Sequence, residues 1–135
     1  AHEYLGDSVE GKDVFVADDI IASGDSILDL AYNLKRRKAK RVFAGATFAF
    51  FTSGLEAFDK AYADGVIDHV FATNLTYTPK EVLERPWFSQ ADMSKYMAFV
   101  IATLNHDQSL SYLLNPWNRI EKLLTKYRAD HPVED

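Results

Sequence analysis

Along the chain, short apolar runs alternate with stretches whose apolar residues recur at helical spacing, the pattern of successive strand and helix units in a parallel sheet. Val14 to Ala17, inside the stretch VFVADDIIASGDSI, predicts a strand. Ile27, Leu30, Ala31 and Leu34 predict a helix after it, with Ser23-Gly24-Asp25-Ser26 as the connecting loop. The next run, RVFAGATFAFF, is nearly continuous, as expected for a central strand buried on both faces. Ser53 and Glu56 have the spacing of a capping box, and Leu55, Phe58 and Tyr62 give the following helix an apolar side up to Gly65. A strand is expected at about Asp68 to Thr73. Between Asn74 and Gln90 the pattern weakens around Pro79 and Pro86, which predicts a loop with one helical turn and a short strand near Trp87. Met93, Met97, Val100, Ile101 and Leu104 restore a helical face, read as core. Asn115-Pro116 then offers an N-cap and first-turn proline for a last helix, whose Trp117, Ile120, Leu124 and Tyr127 form a packing face.

The fold class that follows is α/β: a parallel sheet of about four or five strands flanked by helices, with ligands expected at the C-terminal strand ends. Residues 1–135 read as one domain, with 116–135 as a C-terminal helical extension. With 47% hydrophobic and 26% charged residues in 135, a core of ordinary size is within reach. The absence of cysteine excludes disulfides and thiolate metal sites and favours an intracellular origin. A net charge of −5 argues against general nucleic-acid binding, which draws its affinity from neutralising phosphates. No apolar run approaches the roughly 18 residues of a membrane span, and no signal-peptide pattern opens the chain, so a cytoplasmic location with no membrane partner is expected. The first residue is Ala1 rather than a methionine, which suggests a processed chain or a piece of something longer.

The candidate chemistry lies at the end of the first strand. A loop that leaves a parallel strand and enters a helix presents unpaired backbone N–H groups, and the helix dipole adds positive potential, so phosphate is its natural guest. Gly24 lets the backbone come close to a ligand, and Ser23 and Ser26 add hydroxyl donors. Asp18 and Asp19, just before the loop, suit another part of the ligand: carboxylates accept from sugar hydroxyls or hold Mg²⁺ directly or through water. Together these features point to a sugar phosphate.

These residues also carry a family resemblance. VFVADDIIASGDSI resembles the phosphoribosyl-diphosphate-binding signature of type I phosphoribosyltransferases: an apolar strand, two acids, a few variable residues, then Thr/Ser-Gly-x-Thr/Ser. GDSV at 6–9, SGLEAF, FATN and SLSYLL resemble, in family order over about residues 5 to 114, segments of the C-terminal domain of ribose-phosphate diphosphokinases, the phosphoribosyl-diphosphate synthetases of nucleotide biosynthesis. The resemblance implies an enzyme that moves the diphosphoryl group of ATP to the C1 hydroxyl of ribose 5-phosphate with Mg²⁺. Asp18 and Asp19 then match the acids that meet the ribose hydroxyls and the associated metal, and Ala22, Ser23, Gly24, Asp25 and Ser26 match the loop that cradles the 5-phosphate. It also implies that an upstream domain and a basic loop supply much of the ATP site, that the full-length protein is a homo-oligomer, and that this chain alone is inactive with no catalytic residue of its own.

Two positions depart from the family pattern. Ala22 stands where an acid usually opens the loop, and Asp25 stands where a small neutral residue is common. Asp25 brings negative charge toward a bound phosphate unless it turns outward or caps the helix, the expectation adopted here. These departures keep a non-catalytic regulatory homologue open as an alternative. A phosphoribosyltransferase is a further one, although it would need a base-binding hood that the sequence does not display. A plain polar turn capped by Ser26 is the simplest alternative for the loop. KRRKAKR, six basic residues in seven, reads as a solvated helix end. His2, His69, His106 and His131 have no metal-ligand spacing.

Overall fold

The computed structural model describes residues 8–132, without the side chains of Tyr112 and Leu114. His2 and the first half of the segment at 6–9 lie outside the described residues. The chain forms two compact units that divide between Met93 and Ser94.

In the first unit, strands β1 (Asp13–Ile21), β2 (Arg41–Ala49), β3 (His69–Thr73) and β4 (Phe88–Ala91) form one sheet in the order β1-β2-β3-β4. Every neighbouring pair is parallel, with Phe15 opposite Phe43, Gly45 opposite Phe71 and Thr73 opposite Ala91. Helices α1 (Asp25–Arg36), α2 (Glu56–Ala63) and the short α3 (Lys80–Leu83) make the connections. Parallel crossovers have one hand, so a sheet built in sequential order receives its connecting helices on one face. The core agrees: Ile27, Leu28, Ala31 and Leu34 of α1 and Phe58 and Ala61 of α2 share one cluster with Val42, Ala44, Ala46, Val70 and Ala72 of the sheet.

β2 therefore has the central position expected of it but is not buried on both faces. Val42, Ala44 and Ala46 are buried while Phe43, Gly45 and Thr47 are half-buried, and on the same side of the sheet Phe15 is 61% exposed. Alternation along the strands makes this a two-sided sheet with one dry face.

Left-handed residues close both α1 and α2. Lys38 adopts φ 63° after α1, its N–H bonds to Lys35 O and the Ala39 N–H bonds to Leu34 O, the two bonds of a Schellman motif built without glycine. α2 ends likewise at Gly65 (φ 66°), with Gly65 N–H to Tyr62 O and Val66 N–H to Ala61 O. Its start corrects the expected capping box: the N-cap is Leu55, no side chain caps the helix, and Glu56 is its first residue. The left-handed Gly54 (φ 86°) turns the chain so that Ser53 falls outside the capping position.

The second unit contains α4 (Ser94–Asn105), α5 (Ser111–Leu114) and α6 (Trp117–Asp130). Asn115 Oδ1 accepts from the Trp117 N–H at 3.2 Å, but the expected cap is corrected: Pro116 rather than Asn115 is the N-cap of α6, and no side chain caps the helix. Neither α4 nor α6 buries a residue, so the stripe read as core at Met97, Ile101 and Leu104 is exposed, as are Trp117, Ile120, Leu124 and Tyr127. Helical spacing locates an apolar stripe but carries no information about what covers it.

Candidate functional site

β1 runs four residues beyond the apolar run, so Asp18 and Asp19 lie within the strand near its C-terminal end, both exposed. Asp18 Oδ1 accepts the Asp19 N–H at 2.8 Å. Asp18 also lines a shallow depression of about 250 Å³ at the C-terminal end of the sheet, with Gly45, Thr47, Phe71, Thr73 and Ala91 among its walls. The Thr73 hydroxyl donates to Thr47 O at 2.6 Å and so binds two of those walls together. Two exposed carboxylates are hard oxygen donors of the kind Mg²⁺ accepts when a ligand and water complete its shell. Among the described residues no third His, Cys, Asp or Glu gathers with them.

The loop follows after Ile21. The Phe50 N–H donates to Ile21 O at 2.8 Å and the Thr52 N–H to Ala22 O at 2.9 Å, so the last residue of β1 and the first of the loop are tied to the segment that leaves β2. Gly24 is the N-cap of α1 with φ 94° and ψ −5°, a left-handed conformation that L side chains rarely adopt, and no side chain caps the helix. A Cβ at Gly24 would lie 2.2 Å from Cε2 of Phe58, so tertiary packing also demands glycine there.

Asp25 opens α1, where a carboxylate complements the helix dipole. The expectation that its carboxylate caps the helix is corrected, since no side chain caps α1. Its Oδ2 instead accepts the Ser23 hydroxyl at 2.9 Å, while the Asp25 N–H approaches Ser23 Oγ at 3.4 Å. Ser26 is the second helical residue, exposed, and not a cap. Thus the fold brings Ser23 to Asp25, Gly24 to Phe58, and Asp18 to the amide of Asp19, along one strand-loop-helix unit.

Sequence reasoning missed the support beneath the loop. Phe58 is fully buried, stacks on Trp87 at 5.3 Å and meets the edge of Phe51 at 5.1 Å. The Trp87 Nε1–H donates to Asp59 Oδ1 at 2.7 Å, and Arg85 Nε lies 3.0 Å from the same oxygen as an ion pair without hydrogen-bond alignment. Phe58 had been visible only as part of a helix stripe, and no local pattern links it to Gly24.

The basic run is mostly engaged. Lys35 pairs with Asp68 at 3.6 Å, Lys38 with Glu10 at 2.9 Å, and the Arg41 guanidinium grips both oxygens of Asp13, Nε to Oδ1 at 2.9 Å. The hydrogen bond from Arg41 holds the Asp13 carboxyl below its ordinary pKa, and Asp13 raises that of Arg41.

Comparison with known proteins decides the family. The phosphoribosyl synthetase-associated domain matches residues 3–115. The chain belongs to that family. As a phosphoribosyl synthetase-associated domain, it is 37% identical over 111 residues to a ribose-phosphate pyrophosphokinase of Vibrio cholerae, covering 82% of this chain and 34% of that protein. It is 31% identical over 109 residues to the human phosphoribosyl pyrophosphate synthase-associated protein 2, covering 81% of this chain and 28% of that protein. The domain thus spans about a third of the length of the curated relatives it matches. Its fold is that of phosphoribosylpyrophosphate synthetase from Mycobacterium smegmatis, with a TM-score of 0.65 over 76% of this chain and 33% of that one at 22% identity. No helix among the described residues is long and apolar enough to cross a membrane.

Proposed function

We propose that this chain is the ribose 5-phosphate-binding part of a ribose-phosphate diphosphokinase, which transfers the diphosphoryl group of ATP to the C1 hydroxyl of ribose 5-phosphate. The observation that carries the reading is the β1-loop-α1 unit, with two carboxylates at the strand end and a left-handed Gly24 opening a helix of 12 residues. In this reading the backbone N–H groups after Gly24 and the hydroxyls of Ser23 and Ser26 receive the 5-phosphate, and Asp18 and Asp19 receive the ribose hydroxyls. Mg²⁺, when bound, neutralises phosphate charge and orients it, and the same two aspartates are its protein ligands. ATP is held mainly by other parts of the full-length protein, in a cytoplasmic homo-oligomer.

Titration calorimetry with ribose 5-phosphate, with and without Mg²⁺, tests the site directly. Saturable uptake that strengthens with Mg²⁺ is expected, and no heat of binding at millimolar ligand would overturn the reading.

A second reading has its own support. Ala22 offers no acid at the loop entrance, and Asp25 occupies the Ser23 hydroxyl that a phosphate would use. Both features suit a non-catalytic associated subunit that retains the fold. Assay of the full-length protein separates the two: turnover supports the enzyme, while ligand binding without turnover supports the subunit.

A further inference from the structure

The loop at 22–26 is fastened in two ways. The first is the backbone bond from the Thr52 N–H to Ala22 O at 2.9 Å. The second is steric and lies beneath Gly24, where the Phe58 ring fills the volume that a side chain would occupy, with Cε2 2.2 Å and Cζ 2.5 Å from an ideal Cβ. That ring cannot easily retreat. It is fully buried, stacked on Trp87 at an interplanar angle of 23°, and met edge-on by Phe51. Trp87 is itself fixed by its N–H bond to Asp59, the residue that follows Phe58 on α2. Interiors this dense transmit displacement rather than absorb it.

We propose that Phe58 is a positioning residue for the phosphate loop: its ring, backed by Trp87, sets how far the backbone at Gly24 sinks toward the core and therefore where the N–H groups that follow meet the ligand. The proposal rests on reading 22–26 as the loop that binds the 5-phosphate, and it adds a determinant from outside that loop. Phe58 touches no ligand. It acts through Gly24, where its ring adds a steric demand for glycine to that of the φ angle.

The test is a size exchange. Wild type, Gly24→Ala, Phe58→Leu and the double variant are titrated calorimetrically with ribose 5-phosphate and Mg²⁺, well below the melting temperature of each. Gly24→Ala weakens binding roughly tenfold, from backbone strain and the clash together. Phe58→Leu weakens it roughly threefold to tenfold, because the support under the loop recedes. Leucine lacks the ε and ζ carbons that the new methyl would strike, so the double variant binds more tightly than Gly24→Ala alone, a non-additive result expected only of groups in contact. Ile67→Val, a truncation of another fully buried residue of the same core, lowers melting but keeps wild-type affinity. Should Phe58→Leu fail to fold, Phe58→Met takes its place, since its flexible chain can swing clear of the methyl. Wild-type affinity in the Phe58 variant, or additive losses in the double variant, would overturn the proposal. Failure of the wild-type chain to bind ribose 5-phosphate would instead overturn the phosphate-loop reading, and this proposal with it.

Discussion

The Ser23–Asp25 hydrogen bond puts a negative charge and a committed hydroxyl at the mouth of the loop. Asp25→Gly frees Ser23 and removes that charge. A charge a few ångströms from a phosphate in water is worth about 1 kcal/mol, so the variant should bind ribose 5-phosphate several-fold more tightly in calorimetric titration. Its melting temperature should fall slightly with the lost helix-dipole contact. Asp18→Asn with Asp19→Asn tests the other end: an amide oxygen still accepts the Asp19 N–H, but the Mg²⁺ enhancement of binding should disappear. Equal enhancement in the double variant would remove both residues from the site. The acids and the loop were legible in the sequence because they are contiguous and their chemistry is local. The Asp25 contact was not, since a carboxylate at the start of a helix has two nearby uses, the cap and the neighbouring hydroxyl, and only geometry separates them. Phe58 was illegible as a site residue for another reason: its contact with Gly24 is tertiary.

Elements are fastened here by their ends. The Asp13–Arg41 pair ties the first residues of β1 and β2, and the guanidinium depresses the folded pKa of Asp13 below its unfolded value. A depressed carboxyl stabilises the fold above its unfolded pKa, and that contribution fades as pH falls through the lower, folded value. Thermal melts between about pH 5 and pH 2 should therefore show a shallower acid-side loss for Asp13→Asn than for wild type, with the two curves converging at the acid end. At the end of α1, Lys38→Gly removes an L residue from the left-handed position of a Schellman motif and should raise stability by about 1 kcal/mol, read as a higher melting temperature. Loss of the exposed Lys38–Glu10 pair should offset little of that gain. The periodicity of Ile27, Ala31 and Leu34, and the β-rich run at 41–51, were enough to foresee α1 and β2, because burial against one core imposes those periods. Ser53 and Glu56 misled because spacing alone cannot show that the left-handed Gly54 lies between them. The α4 and α6 stripes misled because amphipathic spacing does not specify a partner.

For the whole molecule, the span of about a third of its curated relatives bears on activity. Incubated with ATP, Mg²⁺ and ribose 5-phosphate, the 135-residue chain should yield no phosphoribosyl diphosphate by ³¹P NMR, and sustained turnover would refute the assignment of ATP binding to other parts of the protein. The chain divides between Met93 and Ser94, and each of the two units carries one tryptophan that reports on it. Trp87, fully buried among aromatic rings, belongs to the first unit, and Trp117, 73% exposed, belongs to the second. Their emissions should differ in colour before any denaturant is added, with Trp87 blue and Trp117 already close to the spectrum of an unfolded chain. Urea should then shift only the blue component, so fluorescence will follow the sheet unit alone, while far-ultraviolet dichroism follows the helices of both. Two transitions that coincide would mark a single cooperative protein, and a helical signal lost at lower urea than the fluorescence would mark a second unit that opens by itself.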